Sequence, residues 1–99
     1  MHGRSSFDGV YMRMESEDAT RAFRNGMNLT LSGNVATLRI PGYERFVATQ
    51  LDMTRTSCHT FILDWRRRKA AWESSQFEAT ILNGVVGLLE RGIFWRRQN

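Results

Sequence analysis

The amino-acid sequence predicts an α+β fold, in which an antiparallel β-meander of four to five strands carries a short N-terminal helix and a longer C-terminal helix. Two stretches, 10–15 and 27–40, alternate apolar and polar residues with the period of a half-buried strand. A third stretch, 76–91, begins with a capping motif and carries apolar residues at helical spacing. With 99 residues, of which 41% are hydrophobic, the chain suffices for one domain over residues 1–99.

The N-terminal part predicts one strand and one helix. Residues 10–15 form the strand, with their three apolar side chains on one face. Ser16 is a good N-cap, and the two acidic residues that follow it favour the positive end of a helix dipole. Asn25 and Gly26 are typical of a helix end, so the helix is expected over about 17–25.

Residues 27–40 predict a β-hairpin. Two alternating runs are separated by Gly33 and Asn34, a pair typical of two-residue turns of the primed type. Pairing Ser32 with Val35 sets the register, since a slip of one residue would move every apolar side chain to the other face. This register places three apolar pairs on one face: Leu31 with Ala36, Leu29 with Leu38, and Met27 with Ile40.

The next two segments predict further strands. Residues 43–53 fit a strand better than a helix, because no capping residue precedes them and β-branched threonines follow. Residues 58–65 carry apolar side chains on both faces, which favours a central strand. If 43–53 were helical, the order would be that of a ferredoxin-like βαββαβ fold with an additional C-terminal helix. Either fold can leave an exposed sheet edge, which a homodimer would cover.

The C-terminal helix is predicted over 76–91. Ser75 and Glu78 form a capping box, and the apolar arc covers nearly half of the helix circumference. An arc this wide indicates two neighbours, the sheet and either a helix or a second subunit. Gly84 and Gly87 border the arc, each at a cost of about 1 kcal/mol relative to alanine, and therefore indicate close approach of another backbone.

Positive charge is concentrated in the last third of the chain. Residues 1–64 carry seven arginines and seven acidic residues, whereas residues 65–99 carry seven cations and three acidic residues, which accounts for the net charge of +4. All cations but one are arginines, a bias explained either by GC-rich coding or by bidentate contacts to carboxylates and phosphates. The asymmetry predicts an anionic partner for the C-terminal part.

Two Arg/Trp-rich segments, 65–72 and 94–97, are the candidate binding site. Their tryptophan rings can stack on bases or guanidinium groups, or can instead cap the edge of the core. An acidic protein surface and a nucleic acid both fit, because Arg and Trp are also enriched at protein–protein interfaces. The candidate binding residues are Trp65, Arg66, Arg67, Arg68, Lys69, Trp72, Trp95, Arg96 and Arg97.

The sequence offers little support for enzymatic chemistry. Cys58 and His59 are adjacent, but neighbouring residues of a strand point to opposite faces and could not form a thiolate–imidazole pair. Cys58 is therefore predicted to be a core residue. One cysteine and two histidines match no zinc-site spacing, and no catalytic residue, metal site or cofactor is predicted.

These observations predict a small, non-enzymatic, cytoplasmic binding protein. No apolar stretch is long enough to cross a bilayer, no apolar signal segment begins the chain, and one cysteine cannot form an internal disulfide. The size, the arginine content and the lack of motifs suggest a phage or mobile-element inhibitor of a bacterial nucleic-acid machine, similar in kind to anti-CRISPR proteins. Direct nucleic-acid binding is the alternative.

Overall fold

The chain closes into an eight-stranded antiparallel β-barrel in which each strand pairs with its sequence neighbours and β1 pairs with β8. The computed structural model describes residues 7–17, 25–39, 49–64 and 74–98. The predicted α+β fold and its ferredoxin-like alternative are wrong, because these residues form strands and no helix. The strands are β1 (Gly9–Arg13), β2 (Asn28–Ser32), β3 (Val35–Arg39), β4 (Thr49–Arg55), β5 (Thr60–Asp64), β6 (Ser74–Leu82), β7 (Val85–Glu90) and β8 (Ile93–Gln98).

The segment 76–91, predicted as a helix, belongs to the hairpin of β6 and β7. Its connecting residues Asn83 and Gly84 have φ angles of 51° and 79°, the left-handed pair of a type I′ turn. Asn-Gly between two apolar runs is a strong local hairpin signal, and here it outweighs the capping motif. The serine of that motif, Ser75, caps no helix and lies buried on the inner face of β6.

The hairpin of β2 and β3 is confirmed in its predicted register. Ser32 pairs with Val35, and Gly33 begins the turn with a φ of 59°. Two of the three predicted apolar pairs lie in the barrel interior, as the alternation requires. The third pair includes residue 40, which lies outside the described residues.

The strand β4 confirms the strand prediction for 43–53 over the described residues 49–53, and β5 confirms the prediction for 58–65 over 60–64, whereas 58–59 belong to a turn. Ile62 lies half-buried on the outer face of β5, while Phe61 and Leu63 fill the interior. Within the described ranges all eight strands have two neighbours, so no unpaired sheet edge is left there for the expected homodimer contact. The segment 76–91 offers no helix surface for that contact either, because it belongs to the hairpin of β6 and β7. The short helix expected over 17–25 falls mostly on residues outside the described ranges.

The strand β1 is confirmed, but its polar-looking face is the buried one. Tyr11 and Arg13 point into the barrel, while Val10 and Met12 lie on the outer wall. Closure of the barrel explains this, because β1 pairs with β8 so that Arg13 lies opposite the buried Trp95. The Arg13 guanidinium is hydrogen-bonded inside the barrel, with Nη1 donating to Asn25 Oδ1 at 2.8 Å.

The barrel interior is a packed core centred on stacked aromatic rings. The rings of Phe61 and Phe77 stack with a centroid distance of 5.2 Å, and Trp95 meets Phe77 edge-on at 5.5 Å. The buried apolar residues are Tyr11, Met27, Leu29, Leu31, Ala36, Leu38, Leu51, Phe61, Leu63, Phe77, Ala79, Leu88 and Trp95.

The two ends of the barrel differ in the length of their connections. Because neighbouring strands are antiparallel, alternate connections join strand ends on the same side of the barrel. The end with the longer connections, here called the long-loop end, has the strand ends that flank 14–27, 40–48, 65–73 and 91–92. The opposite end, here called the short-turn end, has the strand ends that flank 33–34, 56–59 and 83–84.

Replacing Gly84 with alanine is expected to lower the free energy of unfolding by about 1–2 kcal/mol. Gly84 has a φ of 79°, a left-handed conformation that disfavours a Cβ, and a Cβ built there meets no atom within 4 Å. The cost is therefore conformational and not steric. Chemical denaturation followed by circular dichroism measures it, and an unchanged unfolding midpoint would contradict the type I′ turn.

Candidate interaction surface

The structure describes three of the nine predicted binding residues. Trp95 is fully buried, Arg96 is exposed and Arg97 is half-buried, although all three lie consecutively on β8. The other six residues belong to 65–72, which lies outside the described residues. On the described part of the chain, Arg96 is therefore the one predicted binding residue that is exposed.

Trp95 is held in the interior by packing and by a hydrogen bond. Its indole Nε1 donates to Glu90 Oε1 at 3.1 Å, which gives the buried carboxylate a donor inside the barrel. Trp95 packs against Phe77 at the same time. A ring held in this way cannot stack on a partner without opening the barrel.

Arg97 lies at the short-turn end beside Tyr11. The Tyr11 hydroxyl donates to the carbonyl of Phe7 at 2.6 Å. Burial raises the pKa of the Tyr11 phenol above its ordinary value, and the positive charge and hydrogen bond of Arg97 partly oppose that rise. A Cβ on Gly9 would lie 2.9 Å from Arg97 Cδ, so the glycine makes room for this side chain. Arg97 therefore lies half-buried against Tyr11 and Gly9 and is only partly accessible to a partner.

Arg96 lies in a row of outward-facing residues that crosses the barrel wall. It pairs with Gly87 of β7 on one side and with Met12 of β1 on the other. Along β8 its outward neighbours are Phe94 and Gln98, which follow from the alternation of the strand. None of these four neighbours carries a charge.

Apolar residues occupy the diagonal positions of the sheet next to Arg96. Leu89 pairs with Phe94, and the Met14 backbone N–H donates to the Phe94 carbonyl at 2.9 Å, which brings both residues to the same level of the wall. Leu89 and Met14 are each 38% exposed, and so is Val10. We call this patch the Arg96 face, which consists of Val10, Met12, Met14, Leu89, Phe94 and Arg96.

The Phe94 ring lies on the outer wall and covers Gly87. A Cβ on Gly87 would meet Phe94 Cε1 at 2.5 Å, so the ring occupies the space that a side chain would take. Gly87 is buried for this reason although it faces outward. An aromatic ring, an arginine guanidinium and methionines are side chains of the types enriched at protein–protein interfaces.

The apolar members of the Arg96 face were missed at the level of sequence. The sequence predicts Met12 and Met14 on the apolar face of a half-buried strand and Leu89 in the apolar arc of a helix. The available signal was the Asn83-Gly84 pair, since a hairpin there makes 85–90 a strand and sends Leu89 to the face opposite Leu88.

The barrel wall does not carry the positive charge of the chain. The described residues contain six arginines and seven acidic residues, whereas the remaining residues contain eight cations and three acidic residues. Four of those cations lie in 65–73, whose flanking residues Asp64 and Ser74 pair with each other at the long-loop end. The strand ends that flank the predicted basic segment thus both lie at the long-loop end.

Two predictions about Cys58 are wrong: that it belongs to the core, and that its side chain cannot meet that of His59. It is exposed and not part of the core, because 56–59 form a turn between β4 and β5 instead of a strand. In this turn Cys58 Sγ lies 3.3 Å from His59 Nδ1, so the two side chains meet. The rule that neighbours point to opposite faces applies only to extended strands.

The described ranges contain no group of three or more His, Cys, Asp or Glu side chains arranged to hold a metal ion. They also contain no helical segment with the length and hydropathy of a membrane span.

The fold and the surface define the class: an antiparallel up-and-down β-barrel with a packed interior and an apolar outer patch around one arginine. Comparison with protein-family models, with curated proteins and with solved structures found no match to this chain.

Proposed function

We propose that this protein is a non-enzymatic, cytoplasmic binding protein that docks on an acidic protein surface through the Arg96 face and the basic segment 65–72. The observation that carries the proposal is the exposed guanidinium of Arg96 within an otherwise uncharged, largely apolar patch. Such a patch buries apolar area on binding while the arginine selects a carboxylate on the partner.

The chemistry of the Arg96 face favours a protein partner over a nucleic acid. A protein surface that binds a nucleic acid needs several cations directed at phosphates, whereas the Arg96 face offers one cation and five apolar side chains. An inhibitor encoded by a phage or mobile element would use such a surface to cover an acidic region of a bacterial nucleic-acid machine. The partner is therefore expected to present a carboxylate within an apolar region of its surface.

The charge reversal Arg96→Glu is expected to weaken binding by at least about tenfold, because it places a carboxylate opposite an acidic surface. The partner is first captured from lysates of the native host, treated or not treated with nuclease. The dissociation constant of the complex between the partner and each purified variant is then measured by surface plasmon resonance.

The matched control for this charge reversal is Arg39→Glu. Arg39 is an exposed arginine of β3, three strands from Arg96 around the barrel, so its reversal changes the net charge equally. We expect this variant to bind within about twofold of the wild type. Equal weakening by both reversals, or none by Arg96→Glu, would remove the Arg96 face from the proposal.

Direct nucleic-acid binding remains the second candidate, favoured by the eight cations against three acidic residues outside the described ranges. It predicts capture that is lost after nuclease treatment and a salt dependence that corresponds to a few phosphate contacts. Titration with a labelled oligonucleotide at several salt concentrations measures this dependence. Nuclease-resistant capture without a mobility shift at low salt would decide for the protein partner.

A further inference from the structure

A thiol, an imidazole and a carboxylate lie next to one another on the surface at the short-turn end. Cys58 Sγ lies 3.3 Å from His59 Nδ1, and His59 Nε2 lies 4.0 Å from Glu78 Oε2. All three side chains are exposed, so a small molecule can reach the sulfur. A nucleophile beside a base that a third group orients is the arrangement by which proteins activate thiols.

The turn that carries this cluster is pinned within itself. The backbone N–H groups of Thr56 and Ser57 donate to the Thr60 carbonyl at 3.0 and 3.2 Å, and both hydroxyls lie 2.7 Å from Thr60 Oγ1. The His59 N–H donates to Ser57 Oγ at 3.2 Å. These bonds fix the backbone on both sides of Cys58.

The turn is also tied to the strand that supplies the carboxylate. The backbone N–H of Ala79 donates to the His59 carbonyl at 2.7 Å, so β6 holds the imidazole residue beside Glu78. Two different parts of the chain, the β4–β5 turn and β6, therefore bring base and carboxylate together. The contact follows from the barrel register and not from sequence proximity.

We propose that Cys58, His59 and Glu78 form a reactive-thiol site for exchange with low-molecular-weight disulfides. The Glu78 carboxylate favours the imidazole tautomer with its proton on Nε2, which turns the Nδ1 lone pair towards the thiol. Nδ1 takes the thiol proton, and the Cys58 thiolate attacks one sulfur of the disulfide. A Cys58–sulfur bond forms as the disulfide bond of the small molecule breaks, and the departing thiolate takes the proton from the imidazolium.

The product is a mixed disulfide on Cys58 together with one free small thiol. Cys58 is the only cysteine in the sequence, so no second thiol of the same chain can resolve the mixed disulfide. A free small thiol reverses the reaction by the same exchange. The site is thus a reversible thiolation site. Its chemistry does not depend on the proposed binding function, because Arg96 takes no part in the exchange, although Glu78 lies opposite Leu89 of the Arg96 face.

The test measures the rate at which the folded protein reacts with a neutral disulfide, dithiodipyridine, whose released thione absorbs in the near ultraviolet. The reference is the double variant Cys58→Ser/Thr30→Cys, which moves the single thiol to an exposed position of β2, three strands from β5 around the barrel. The further variants are His59→Ala, with and without added free imidazole, and Glu78→Gln.

The wild type is expected to react about tenfold faster than the reference. This rate advantage is smaller than that of a general base in an enzyme active site, because the cluster is exposed to solvent. His59→Ala is expected to lose this advantage and to regain part of it with free imidazole, and Glu78→Gln to lose part of it. Unfolding in denaturant is expected to abolish the difference between wild type and reference. The proposal is overturned if the wild type reacts within about twofold of the reference, or if His59→Ala reacts as fast as the wild type.

Discussion

Replacing Trp95 with alanine is expected to lower the free energy of unfolding by about 3–5 kcal/mol, the range for truncation of a buried tryptophan. The side chain is fully buried and meets Phe77 edge-on at 5.5 Å. Because β8 is bonded to β7 and β1 along the same stretch, it cannot move into the cavity without loss of ladder hydrogen bonds. Denaturant unfolding followed by circular dichroism measures the change.

The variant Trp95→Phe separates packing from hydrogen bonding. It keeps an aromatic ring but removes the Nε1–H that donates to Glu90 Oε1 at 3.1 Å, so the buried carboxylate has one donor fewer. We expect a cost of about 1–3 kcal/mol, smaller than that of the alanine variant. Loss of less than about 1 kcal/mol in Trp95→Ala would contradict a buried Trp95. It would also return this residue to the candidate binding surface.

The two hairpins show why the sequence predicts one part of this barrel and not another. Gly33-Asn34 lies between runs that alternate strictly, so strand period and turn signal agree and the register follows. Asn83-Gly84 lies between runs that carry apolar residues on both faces, as Val85 and Leu89 do on the outer wall. Without strict alternation, the apolar positions of 76–91 also fit a helical arc, and the prediction took the wrong period.

The predictability of the candidate site has a similar limit. The charge distribution of the sequence predicts Arg96 as a binding residue. The apolar residues around it cannot be predicted in the same way, because they depend on which face of β1 lies inside the barrel. Alternation defines two faces without assigning the inner one, and only closure with β8 places Arg13 inside and Met12 outside. The proximity of His59 to Glu78 depends on strand register as well, and no local pattern encodes it.

Replacing Gly87 with alanine is expected to lower the free energy of unfolding by about 3 kcal/mol, the upper part of the range for overpacking. An added Cβ would lie 2.5 Å from Phe94 Cε1 and 2.6 Å from the Trp95 carbonyl oxygen. The ring can rotate away, whereas the carbonyl belongs to a strand bonded on both sides and cannot. The cost should therefore exceed that of Gly84→Ala, where the strain is conformational and the surrounding space is open.

A double-mutant cycle with Phe94→Ala divides this cost between the two contacts. Removal of the ring relieves one clash and leaves the other, so Gly87→Ala should cost less in the Phe94→Ala background but should still destabilise. We expect a coupling energy of about 1 kcal/mol from denaturant unfolding of the four proteins. Simple additivity would mean that Phe94 does not cover Gly87. The placement of the ring in the Arg96 face would then lose its support, because the contact with Gly87 is what places Phe94 beside Arg96.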